Sequence, residues 1–150
     1  MRGWPHAAVG GALGLVVAGP VGLLAGAVGA IIPDWDLAGT LVDRLTFRVP
    51  GMVLRGVLRL RHRGIWHWGG WAVPWGLVVG GLLGWRWGLG FGLGFLSHWV
   101  ADAGNFSGVP LWFGQWWHWG RGHRSGVWWE SMAAWAFALV VGVVSVMVAR

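Results

Sequence analysis

Long apolar runs separated by short polar clusters set the plan of this chain. Residues 7–32 carry no charged side chain, and a helix needs about 20 apolar residues to cross a bilayer. Gly19-Pro20 interrupts the run, because proline inside a helix loses a hydrogen bond and clashes with the preceding turn. Two readings follow. One is a single kinked transmembrane helix. The other is a hairpin of two short helices, about 7–18 and 21–32, each ~18 Å long and unable alone to cross a ~30 Å hydrocarbon core. A cleaved signal peptide would have a shorter apolar core, which argues against that reading.

The pattern then changes. Leu37 to Phe47 predicts a short helix with Asp36 as its N-cap. Gly51 to Arg61 sets Val53, Leu54, Val57 and Leu58 against Arg55, Arg59 and Arg61, the spacing of a basic amphipathic helix on a membrane surface. Ile65 to Gly84 is a second candidate span, and Trp85-Arg86-Trp87 a tight turn after it. Gly88 to Ala101 is a third span whose alternating glycines allow close helix approach. Residues 102–126 read as a loop region, and Val127 to Ala149 as the last span. The expected architecture is an all-α integral membrane protein, a helical bundle of about three to four spans forming a single domain over residues 1–150.

Composition supports this reading: 56% of residues are apolar and 11% charged, against about 25% charged in soluble domains. Most of the 16 tryptophans fall at the proposed span ends, as in an interfacial aromatic belt. The net charge of +6 fits basic loops that set orientation better than a nucleic-acid partner. In the hairpin reading Arg2, Arg44, Arg48, Arg55, Arg59, Arg61, Arg63, Arg121 and Arg124 share one face, and only Arg86 and Arg150 the other. The positive-inside rule puts the rich face in the cytoplasm, in the inner membrane of the cell. Without cysteine, any metal must be held by His, Asp, Glu, backbone or water, which suits a divalent ion such as Zn²⁺, Mn²⁺ or Mg²⁺.

The acids and histidines stand at the edges of the apolar runs, where ionisable groups are costly unless compensated. His98 and Asp102, at i and i+4, share a helix face and can bind one metal; a His–Asp hydrogen bond at a helix end is the structural alternative. Asp34 and Asp36 would face one site from an extended turn, unless Asp36 caps a helix and Asp34 is solvated. His62 and His67 are ~140° apart on a continuous helix, but Gly64 lets His62 sit in a loop and His67 in the first turn of the next helix. His6 reaches Asp34 only if the chain reverses at Gly19-Pro20; in a straight helix ~40 Å would separate them. His118 and His123 are expected in an interfacial loop, and Glu130 at a helix N-terminus interacting with its dipole. There is no G-x-S-x-G element, P-loop or dinucleotide fingerprint. The convergence of Asp34, Asp36, His67, His98 and Asp102 on one side points to a shared metal site.

These residues resemble the YdjM-like membrane-bound metal-dependent hydrolases. The resemblance lies in His6, Pro33-Asp34-Trp35-Asp36, His62-Arg63-Gly64 followed by His67, Ser97-His98-x-x-x-Asp102, and Gly108-Val109-Pro110-Leu111-Trp112. It spans residues 6–112. It implies His6, Asp34, Asp36, His62, His67, His98 and Asp102 as metal or catalytic residues. The His-x-x-x-Asp element also resembles one in zinc phospholipase C and P1-type nucleases. The chain departs from the family pattern at Trp66, Trp68 and Asn105-Phe106-Ser107. The expected function is metal-activated hydrolysis of a phosphoester or lipid-linked substrate in contact with membrane lipid. Zinc is the leading metal, Asp36 the base or bridging ligand, and Arg63 the anion-binding residue. His6 and His62 would support a second metal or orient the ligands. A non-catalytic metal-binding or transport protein and a purely structural membrane protein are the alternatives.

Overall fold

The computed structural model describes residues 3–37, 39–49, 53, 64–112, 115–119 and 128–148. Helix α1 (Gly3–Ile31) is broken at Gly19, whose φ of 70° and ψ of −156° lie in a region open essentially to glycine. The chain reverses there. A Cβ on Gly10 would stand 2.5 Å from the Gly26 carbonyl oxygen, and one on Gly14 would collide with the Gly22 carbonyl. The two arms therefore run antiparallel with their backbones in contact, as the hairpin reading required.

After α1, a 3-10 turn at Ile32–Asp34 carries Pro33 in its first positions, where a missing N–H costs nothing. The short helix α2 (Leu41–Leu45) follows. The expected helix 37–47 is thus shortened, and its cap is Thr40 rather than Asp36. The Thr40 Oγ1 accepts the N–H of Asp43 at 3.2 Å, and Asp43 Oδ2 accepts the N–H of Gly39 at 2.8 Å. This pairing is a variant of the capping box in which Asp43 reaches one residue past the N-cap, to Gly39. The predicted amphipathic helix over 51–61 lies outside the described residues, apart from Val53.

The second span also differs from expectation. Ile65–His67 and Gly69–Trp71 are 3-10 turns, and regular helix begins only at α3 (Ala72–Leu83). Trp68, extended at φ −72° and ψ 122°, separates the turns. Gly84 alone breaks the chain, at φ 102°, so helix α4 runs over Trp85–Asp102. Trp85-Arg86-Trp87 is its first turn and not a loop. The region read as a loop contains an antiparallel pair, β1 (Val109–Trp112) and β2 (Gln115–Trp117). Indole N–H groups tie this pair to its surroundings: Trp68 donates to the Leu111 carbonyl at 2.8 Å and Trp99 to that of Pro110 at 3.1 Å. The last helix, α5, covers Trp128–Val148.

The alternating glycines of α4 form two i, i+4 pairs on different faces. Gly90 and Gly94 abut the second arm of α1, where Cβ atoms would strike the backbone of Gly22 and Gly26. Gly88 and Gly92 abut Gly76, Gly80 and Ala72 of α3. Small residues in register let α4 lie within backbone contact of both neighbours. A small core of Ala25, Ala72, Phe91 and Phe95 fills the remaining space. The outer faces carry exposed apolar side chains, among them Leu77, Leu82, Leu139 and Met147. Gly3–Asp34 and Trp128–Val148 are each long and apolar enough to cross a membrane, although the first folds back on itself at Gly19.

Candidate metal centre

The break at Gly19 returns Asp34 to the level of His6, and the descent of α4 brings His98 and Asp102 to the same end. His67 arrives on the turn before α3. That turn is held by the Trp71 indole, which donates to the Ile65 carbonyl at 2.8 Å. The Asp34 backbone is held in its own turn, its carbonyl accepting from Leu37 N–H at 3.0 Å and from the Thr40 hydroxyl at 3.1 Å.

Asp34, His67, His98 and Asp102 each offer a ligand atom, and these atoms lie within 4.8 Å of one another. Asp34 Oδ1 is 3.4 Å from His67 Nε2 and 3.7 Å from His98 Nε2, and Asp102 Oδ2 is 3.7 Å from His98 Nε2. Ligands about 2.0–2.2 Å from a tetrahedral ion stand about 3.3–3.6 Å apart. The separations are thus long for hydrogen bonds and close to those of atoms sharing a cation. All four residues are buried, with exposures of 7, 1, 0 and 3% in chain order.

The ring of His98 is set for ligation. Its Nδ1–H donates to the Ala30 carbonyl at 2.7 Å, which leaves Nε2 with its lone pair directed at the carboxylates. Such a backbone partner fixes tautomer and orientation in metal-binding imidazoles. Among the described residues the buried His98 Nε2 has no hydrogen-bond partner, a costly state without a compensating ligand. Asp102 is steadied by Asn105, whose Nδ2 donates to Oδ1 at 2.9 Å.

His6 joins the group. Its Nε2 is 3.6 Å from Asp102 Oδ1, and its ring stacks on that of His98 at 4.0 Å between centroids. Asp36 is buried at 2% exposure but is not among the four clustered ligands. The extended turn that would have aligned it with Asp34 is absent, since Trp35 adopts φ −64° and ψ −21°. A helical turn sends i and i+2 to different sides. His62 and Arg63 lie outside the described residues, as does His123. His118 is exposed and outside the cluster. Glu130 sits in the first turn of α5, as expected, but is buried at 2% exposure. It lines a 360 Å³ groove with Val9, Leu13, Leu93, Ser97 and Trp129.

Sequence reasoning missed Asn105, the Ala30 carbonyl and buried Asp43. Asp43 has a signal in Thr40-x-x-Asp43; Asn105, three residues beyond Asp102, stands out in the sequence only as a departure from the family pattern. The carbonyl carries no sequence mark.

Fold and cluster together define an α-helical protein with membrane-length apolar helices and a buried His/Asp group able to hold a metal ion. The chain belongs to the YdjM inner membrane protein family, whose model matches residues 1–150. No curated protein and no solved structure matches it.

Proposed function

We propose that this protein is a multi-pass, membrane-bound metal-dependent hydrolase acting on a phosphoester or lipid-linked substrate. The observation that supports this reading most strongly is the convergence of Asp34, His67, His98 and Asp102, from separate segments, on one buried point. Two imidazoles and two carboxylates suit zinc, with manganese or magnesium as the harder-ligand options. A bound cation of this kind lowers the pKa of a coordinated water and stabilises charge developing on attack.

The chain's own residues supply the rest. Asp34 and Asp102 balance the cation's charge, and the Ala30 carbonyl keeps His98 in its ligating tautomer. Arg63 is the candidate anion-binding residue, whereas the helical turn at Trp35 directs Asp36 away from Asp34 and takes it out of the general-base role. The arginine distribution supports a cytoplasmic face of the inner membrane for this end, which would suit a membrane lipid or a lipid-linked group as substrate; no nucleic-acid partner is expected. A transporter would place its ionisable residues near mid-membrane on broken helices, whereas these lie at helix ends. The burial of all four ligands favours one second reading, a non-catalytic cation that locks the helix ends together, since structural sites are closed.

Metal analysis of detergent-purified protein tests the proposal. Stoichiometric metal is expected in the wild type and its loss in His98→Ala and Asp102→Ala; unchanged metal in the variants overturns the reading. Chelator-sensitive turnover of a panel of phospholipids and model phosphodiesters then separates the hydrolase from the locking cation.

A further inference from the structure

We infer that the end of the molecule opposite the metal centre binds an anionic phospholipid, its phosphate on Arg86 and its hydrocarbon in the groove beside that residue. The inference goes beyond the hydrolase reading and depends on no metal. The groove lies between the reversal of α1, the first turn of α4 and the last turns of α5, with a volume of 750 Å³. Ligand-sized sites hold about 300–1,000 Å³. Apart from Arg86 and Ser145 the lining is apolar, with Val16, Val17 and Val144 among it.

Charge selects the occupant. The chain has five carboxylate side chains, and all belong to the other end. Asp34 and Asp102 are in the cluster, and Asp36 lies two residues beyond Asp34. Asp43 is tied to the same turn through Thr40, whose hydroxyl meets both the Asp43 N–H and the Asp34 carbonyl. Glu130 opens α5 beside Val9 and Ala101. Arg86 and Asp102 occupy opposite ends of α4, about 24 Å apart by helical rise. Among the described residues Arg86 is the one cation at its end.

The guanidinium is exposed and oriented. Its Cζ stands 5.4 Å from the centroid of the Trp85 ring, a cation–π contact that positions the charge without neutralising it. A cation at the edge of hydrocarbon is costly until an anion meets it. The anion present at that depth is a lipid phosphate, and the planar fork of arginine takes two of its oxygens together. The apolar lining next to the fork then receives the hydrocarbon of the same molecule. Free phosphate would leave that lining unused. A second copy of the chain in the same membrane orientation presents the same acid-free end and cannot neutralise Arg86.

The test is lipid retention by the full chain, stripped of lipid in detergent, titrated with phosphatidylglycerol or phosphatidylcholine of identical acyl chains and read by native mass spectrometry. The wild type is expected to retain phosphatidylglycerol in preference to phosphatidylcholine. Arg86→Gln is expected to retain about fivefold less phosphatidylglycerol, the weight of one arginine at an anionic surface, with an unchanged thermal midpoint because the side chain is exposed. Equal retention of the two lipids by the wild type overturns the inference. So does undiminished phosphatidylglycerol in Arg86→Gln, which would assign the lipid to the arginines at the metal end. Excess glycerol 3-phosphate is expected to leave the lipid bound; its displacement would make the ligand a free phosphate and overturn the lipid assignment. A dimer that forms in place of the lipid complex overturns it in favour of a second copy.

Discussion

At the scale of single residues, the centre is built by giving each polar atom a directed task. Asp102 shows this best, since Asn105 holds Oδ1 while Oδ2 turns to His98. Groups that orient metal ligands typically contribute 10–100-fold to affinity. Asn105→Ala is therefore expected to weaken Zn²⁺ binding by about that factor, measured by competition with a chromophoric chelator, with helical content unchanged. Thr40 works at a distance from the ligands. It caps α2, and its hydroxyl also reaches the Asp34 carbonyl. Thr40→Ala is expected to lower stability by about 1 kcal/mol, read as a lower thermal midpoint by tryptophan fluorescence, and Thr40→Ser to restore it. Asp34, His67, His98 and Asp102 were legible in the sequence because charged or ionisable groups at apolar edges demand compensation. Asn105 and the Ala30 carbonyl were not, because an amide in a loop and a backbone oxygen have no pattern to distinguish them before the fold brings them close.

At the scale of elements, close packing through glycine governs tolerance. A side chain at Gly94 would enter the backbone of Gly26, whereas a Cβ at Gly81 or Gly142 meets nothing within 4 Å. Gly94→Leu is expected to abolish accumulation of monodisperse protein, while Gly81→Ala accumulates normally and gains up to about 1 kcal/mol from helix propensity. Size-exclusion profiles and thermal midpoints of the variants check both outcomes. The boundaries of these elements were only partly legible. Gly84 ends α3 by taking a positive φ, while the bulky Trp85-Arg86-Trp87 that looked like a turn is helical. The strand pair escaped notice because Val109-Pro110-Leu111-Trp112 lacks alternation and contains a proline. The helix expected from Ile65 starts at Ala72, since Gly69 and Gly70 favour turns over helix.

At the scale of the whole molecule, the reversal at Gly19 decides which ends meet. His6, Asp34, His67 and Asp102 gather at one end. Gly19, Pro20, Trp85, Arg86 and the later turns of α5 border a 750 Å³ groove at the other. With α1 as a hairpin, the N-terminus belongs to the metal end and the close of α5 to the opposite one. Reporter fusions before Met1 and after Arg150 are expected to report opposite sides of the membrane; termini on the same side sink that arrangement. A metal that binds only the folded chain also stabilises it, by about 2.7 kcal/mol when present at 100 times its dissociation constant. Chelation is expected to lower the thermal midpoint of the wild type and to leave that of Asp102→Ala unmoved. Such a response would connect the buried cluster to the integrity of the whole fold.

The hairpin also sets an order in time. His6 leaves the ribosome before every other residue of the centre, and its neighbour Asp102 follows only after the α1 hairpin, α3 and nearly all of α4 have been made. Until then the early histidine and Asp34 have one another's arm but no complete set of ligands. The four residues can meet only when the last turn of α4 settles against the hairpin, so under the proposed function cation capture follows the making of α4 and precedes the docking of α5. Nascent chains arrested before residue 98 should hold no zinc, and those extended beyond Asn105 should begin to retain it.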